Sequence, residues 1–205
     1  EFRRVLFRSS ALKPGYYTLF FSVEDKSIPA RLDISADGLW HILNAEEDIR
    51  LDSIVFRNDS FFVKMPLYDS SLKGTWRNDS LIGEWTDHSR SNYSIPFTGI
   101  KQAGATCENV SEDLQFEITF SPNDSADISK GVAVLQTHGT LVTGTVLTET
   151  GDYRFLQGEI HNNHLWLSAF DGTHLFYLSG SLSGDSITDG LFLSGKHWKE
   201  QWVAV

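Results

Sequence analysis

The stretch HNNHLWLSAFDGTH, residues 161–174, gathers three histidines and an aspartate within fourteen residues. Imidazole and carboxylate side chains are the usual ligands of zinc and the usual members of general acid–base pairs. Either chemistry requires the groups to converge on one point. Side-chain direction decides whether they do. With Asn162-Asn163 as a two-residue turn, His161 faces His164 and Ile160 faces Leu165. With Asp171-Gly172 as the next turn, Phe170 faces Thr173, Ala169 faces His174 and Leu167 faces Phe176. Facing residues share a side of a sheet and successive residues alternate. Ile160, Leu165, Leu167, Ala169, His174, Phe176 and Leu178 then share one face, and His161 and His164 lie on the other. His164 and His174 also sit at opposite ends of one strand, roughly 20 Å apart at about 3.3 Å per residue. The expectation is turn-flanking polar residues, with His174 at the rim of a core and no metal site.

Other reactive groups are scattered. Asp152, Asp171, Glu200, His174 and His197 would form an acid–base set only if a barrel closed to bring them together, and no spacing enforces that. Cys107 is the one cysteine. It has no CxxC partner and no paired histidine, so neither an intrachain disulfide nor a nucleophile is expected. Asn-X-Ser sequons at Asn58, Asn78, Asn92, Asn109 and Asn123 read as turn chemistry. No glycine-rich phosphate loop joins a strand to a helix. The expected catalytic, cofactor and metal residues are therefore none. Trp76, Trp85, Trp166, Trp198 and Trp202 fall in strand-like segments. They read as core filling, ahead of a lining for a small apolar or carbohydrate ligand.

The elements that must hold these residues are strands. Apolar and polar residues alternate in short runs at 16–23, 30–35, 39–44, 51–57, 60–67, 71–77, 80–86 and 92–100. A second series follows at 114–120, 130–137, 140–148, 153–161, 164–170, 174–181, 186–193 and 197–205. Period two is the strand signal. No segment reads as an amphipathic helix, and residues 121–130 hold one turn at most. Asn58-Asp59, Asn78-Asp79, Asn162-Asn163 and Gly184-Asp185 separate consecutive runs, and such pairs tolerate the positive φ of tight hairpins. The expected fold is all-β: two tandem eight-stranded antiparallel meanders, lipocalin-like barrels or sandwiches, over 10–100 and 114–205, joined by a linker at 101–113. Asp48-Ile49-Arg50 and Asp152-Tyr153-Arg154 lie 104 residues apart, as do two of the turns, so the halves look like copies. Residues 1–9, EFRRVLFRS, resemble the in-frame translation of a sequencing adapter and are set aside.

The chain carries 17 Lys and Arg against 27 Asp and Glu, a net charge of −10. That balance repels phosphate backbones and disfavours a nucleic-acid partner. No run of 18 apolar residues is present, so no membrane-spanning helix is expected.

Three segments of the second half are more specific: TETGDYRFLQG (148–158), LWLSAFDGTHLF (165–176) and SGKHWKEQW (194–202). Together they resemble the N-terminal region of TlpA-type, thioredoxin-like thiol-disulfide oxidoreductases exported by bacteria. KMPLYDSSLKGTWR (64–77) and IGEWTDHSRSNYSIPFTG (82–99) are similar to the same region. The resemblance implies an extracytoplasmic, periplasmic or outer-surface location, with a lipid anchor as one mode. It also implies a thioredoxin domain in cis beyond Val205, carrying a W-C-x-x-C motif whose thiolate attacks disulfides. An exported protein or a small molecule is the remaining partner class. No catalytic residue carries over. Asp152, Arg154, Asp171, His174, His197, Trp198, Glu200 and Trp202 match motif positions as structural candidates. Arg154 is expected to pair with Asp171 or Glu200 and fix the barrel register.

Overall fold

The computed structural model describes residues 12–103 and 111–205, and every regular element in them is a strand. Much of the expected linker, with Cys107 and Asn109, lies outside the described residues, as do residues 1–9.

The first half comprises β1 (Gly15–Val23), β2 (Lys26–Ile34), β3 (Trp40–Asn44), β4 (Glu47–Leu51), β5 (Ser53–Arg57), β6 (Ser60–Lys64), β7 (Ser70–Arg77), β8 (Ser80–Asp87) and β9 (Ser94–Lys101). They form one antiparallel sheet in the order β4-β3-β2-β1-β9-β8-β7-β6-β5. The segment expected as one strand over 51–57 is therefore parted at Asp52. The reason is local. Ile49 and Leu51 point inward, but the next inward apolar residue is Ile54, three positions on, which breaks the period of two. The first part of the segment pairs with β3 and the second with β6. The wall thus nearly closes, with the covalent chain running across the seam. Trp40, Phe56 and Phe61 fill it, with ring centroids 6.2 and 5.0 Å from Trp40.

The second half comprises β10 (Ser111–Phe120), β11 (Ser129–His138), β12 (Leu141–Thr148), β13 (Gly151–His161), β14 (His164–Phe170), β15 (Leu175–Ser183), β16 (Ser186–Ser194) and β17 (Trp198–Ala204). These eight form a closed up-and-down barrel, sealed where Ile118 faces Ala204 and Phe120 faces Trp202. Closure removes every edge strand. Asn58, Asn78, Asn162 and Asn163 all take positive φ, as hairpin turns of matching twist demand.

The halves correspond strand for strand. β13 moved back by 104 residues covers 47–57, the combined span of β4 and β5. The ladder of β13 with β12 shifts register between its Val146–Tyr153 and Gly144–Leu156 pairs, beside Phe155, which takes φ +55°. Moved back by 104, Phe155 falls on Leu51, the last residue before the break at Asp52. One copy accommodates the irregularity as a bulge inside a continuous strand. The other interrupts the strand.

Each half has its own apolar core. Among the described residues, three fully buried ones cross over. Phe170, Leu175 and Leu193 belong to the second barrel by chain but pack in the core of the first.

Candidate functional site

The chain between β14 and β15 is built differently from the two-residue turn expected of it. Phe170 faces Leu175, Ala169 faces Phe176 and Leu167 faces Leu178, so Asp171 to His174 form a four-residue loop. The pairing is offset by two residues from the expected one. An even offset preserves faces. Leu165, Leu167, Ala169 and Leu178 still line the barrel core, while His174 moves from the strand into the loop.

The aspartate makes this loop. Asp171 Oδ1 accepts from the backbone amides of Thr173 and His174 at 2.8 and 2.7 Å, and Oδ2 lies 2.8 Å from His174 Nδ1. Such a side chain replaces the backbone bonds of a tight hairpin with its own. Burial of Asp171 pushes its carboxyl up, but the hydrogen bonds from the His174 ring and from the His174 and Thr173 amides outweigh it. The carboxyl is held below the usual range for aspartate. Gly172 has φ +99°, and a side chain there would run into Met65 of the first barrel. Only glycine suits both conditions.

The loop is the joint between the barrels. Phe170 is 0% exposed and lies 4.7 Å from Phe21 and 5.2 Å from Trp85, ring centre to ring centre. Its backbone is clamped by one side chain of the first barrel. Phe170 N donates to Asn44 Oδ1 at 3.0 Å, and Asn44 Nδ2 donates to Phe170 O at 2.9 Å. The Gly172 carbonyl accepts from Trp85 Nε1 at 3.0 Å and from the Ser70 hydroxyl. Ser168 Oγ donates to Pro29 O at 2.6 Å, and Ala45 N donates to Gln157 Oε1 at 2.9 Å. On the far flank, His197 Nδ1 lies 3.1 Å from the Tyr93 hydroxyl, which accepts from Lys196 N at 3.0 Å. Burial, then the charges of Arg90 and His174, lower the His197 pKa from its ordinary value, partly offset by Asp87.

Beside this joint the mouth of the second barrel opens into a cavity of about 390 Å³. Its walls come from both barrels: Asn44 and Glu47 from the first, and Asp152, Arg154, Phe155 and His174 from the second. Tyr153 and Phe176 also line it. They belong to an aromatic cluster with Phe120 and Phe192, with centroids 4.8 to 6.1 Å apart. His174 stacks on Phe176 at 5.1 Å, the planes inclined by 14°.

The sequence-derived candidates separate accordingly. Asp171 and His174 meet as a pair, and Asp152 shares their cavity. Arg154 does not pair with Asp171 or Glu200. It pairs with Asp152, two residues away on the same side of the same strand, through Nη2 at 2.9 Å. Glu200 is elsewhere, accepting from Trp198 Nε1 and Ser121 Oγ, each at 3.0 Å. His197 is engaged with Tyr93. His161 faces His164, away from His174. Among the described residues no three His, Cys, Asp or Glu side chains gather as metal ligands. Trp76, Trp85 and Trp202 fill cores, whereas Trp198 is 53% exposed. Trp166 lines a second cleft of about 450 Å³ between the barrels.

Sequence reasoning passed over Asn44, Glu47, Tyr93 and Phe155. Asn44-Ala45 has the look of an ordinary turn, and no local pattern marks it as the clamp on a residue 126 positions away.

No family model matches the chain, and no curated protein matches it. Among solved structures, a provisionally named outer membrane protein from Bacteroides fragilis aligns over 93% of this chain and 95% of its own. The identity is 11% and the TM-score 0.28, a likeness too slight to carry an argument about either protein. No helix of the described residues is long and apolar enough to cross a membrane, which says nothing of crossing by strands.

Proposed function

We propose that this chain is the non-catalytic β region of an exported thiol-disulfide oxidoreductase of the TlpA type. In this reading its two barrels act as one body outside the cytoplasm. They hold a thioredoxin-like domain in cis, or dock the protein on which that domain acts. The observation that carries the reading is where the family-like residues fall. Phe170, Asp171 and Gly172 build the joint between the barrels, and Asp152, Arg154 and His174 surround the mouth beside it. Their hydrogen bonds go to one another and to side chains of the other barrel. Residue types of that kind, used in that way, suit a scaffold that must keep two modules in register. They do not assemble a nucleophile with its base.

The test is the complete reading frame of the gene. A frame that runs past Val205 into a W-C-x-x-C motif, within about one domain or roughly 150 residues, supports the proposal. A longer frame without that motif ends it.

A further inference from the structure

We propose that the mouth of the second barrel is a binding site for a neutral sugar ring. The site is independent of any redox domain, so it stands or falls apart from the scaffold role above.

The first argument is the pairing of charge. Each carboxylate, guanidinium and imidazole of the wall has a hydrogen-bond partner. Arg154 is held by Asp152 at 2.9 Å, His174 by Asp171 at 2.8 Å, and Glu47 Oε2 accepts from Asn44 Nδ2 at 2.9 Å. An anion approaching Arg154 would meet Asp152 beside it, and a cation approaching Asp152 would meet Arg154. Yet each group keeps capacity facing outward from its pair. A guanidinium has five N–H donors, a carboxylate about four lone-pair sites, and an imidazole bonded at Nδ1 retains Nε2. Donors and acceptors thus both line the cavity. A hydroxyl both donates and accepts, so a polyhydroxyl ring satisfies such a lining without separating the pairs.

The second argument is the aromatic surface. Tyr153, Phe155 and Phe176 line the cavity, and the His174 ring covers one face of Phe176, so the ring face left to a ligand in that stack is that of His174. Flat apolar faces beside fixed polar groups are what the two sides of a pyranose ring require, its C–H face against the rings and its hydroxyls against those groups.

The third argument is Phe155 itself. A bulky residue at φ +55° is an outlier, and the turn-type alternatives Gly and Asn would adopt that conformation without strain. Bulges beside binding sites re-aim side chains, and backbone strain collects where a site demands a particular residue. Here the strained position is the one that sets an aromatic ring in the cavity wall.

The experiment uses the chain as it stands. Saturation-transfer NMR and calorimetry are run with methyl α- and β-glucopyranoside, N-acetylglucosamine and cellobiose, and with spermidine and glucuronate as charged comparators. Transfer to the ring C–H protons of a neutral sugar is expected. Affinity should fall at least tenfold in Arg154→Met and Phe155→Ala, and stay unchanged in Trp166→Ala, which alters the other cleft. Arg154 is 65% exposed at its side chain, so that variant keeps the fold if Phe155→Ala does not. Absence of transfer to every neutral sugar overturns the proposal. So does preference for spermidine or glucuronate, or binding lost in Trp166→Ala and kept in Arg154→Met.

Discussion

Replacing Phe170 by alanine tests the joint between the barrels most directly. The ring is fully buried, with Phe21 and Trp85 as neighbours, all inside the core of a barrel to which Phe170 does not belong by chain. Truncating a buried phenylalanine costs about 3–5 kcal/mol, the larger values where surrounding structure cannot collapse into the gap. Collapse is hindered here. The Asn44 clamp and the two bonds to the Gly172 carbonyl hold the loop backbone in place after the ring is gone. A loss of about 4 kcal/mol is therefore expected, or roughly 8–16 °C in Tm for a chain of this size. Urea unfolding followed by far-UV circular dichroism and by tryptophan fluorescence measures it. Wild type should unfold in one transition, since each barrel completes the other. The variant should show two transitions, and Trp85 emission should shift to the red before unfolding begins. A loss below about 1 kcal/mol, with a single transition and unmoved emission, would refute the idea that Phe170 joins the two cores.

Asn44→Ala removes both hydrogen bonds to Phe170 and leaves a buried N–H and a buried C=O unpaired. At about 1–3 kcal/mol per orphaned group, a loss of about 2–6 kcal/mol is expected by the same urea assay, with Asn44→Asp recovering the accepting half. Acidification should weaken the fold in two stages. His197 is held below its ordinary pKa, so its contribution is present above the unfolded value of about 6.5 and is lost as the pH falls toward the folded one. Asp171 is likewise held low, so its contribution is present above about 3.9 and is lost as the pH falls through its folded pKa. His197→Gln should flatten the fall in Tm between pH 7 and 5 and leave the acidic limb unchanged. A Tm profile parallel to wild type across that window would sink the assignment.

What the sequence discloses here is what a single strand and its neighbour determine. Alternation places Leu165, Leu167 and Ala169 inside the second barrel because barrel walls repeat every two residues. The Asn turns are readable because few residues take positive φ cheaply. The break at Asp52 went unread, since 51–57 looks like one strand and only the three-residue step from Leu51 to Ile54 marks it. The alternation that places Ala169 inward also places Phe170 outward, and outward is where a sequence predicts solvent. The ring is buried only because another barrel lies against that face. Leu175 and Leu193 are hidden in the same way. The four-residue loop escaped for a related reason. Asp171 before Gly172 is equally good chemistry for a two-residue hairpin, and the choice is made by the Gly172 carbonyl reaching Trp85 and Ser70. Arg154 shows the opposite error, a distant partner expected where Asp152 stood two residues away.

The correspondence at 104 residues makes these features one pattern. If the halves are copies, both inherited an irregular strand at the same point. In the first barrel the strand is interrupted, and the hairpin leading into it carries Asn44 and Glu47 out to meet the second barrel. In the second the strand stays whole, and the irregularity survives as Phe155 at positive φ, which lines the same cavity as that hairpin. The β3–β4 hairpin of the first barrel and the irregular strand of the second thus line a single cavity. Neither barrel contains it alone. Asn44 belongs to both structures, since it clamps Phe170 and orients Glu47. The side chain that joins the barrels therefore also lines the cavity between them.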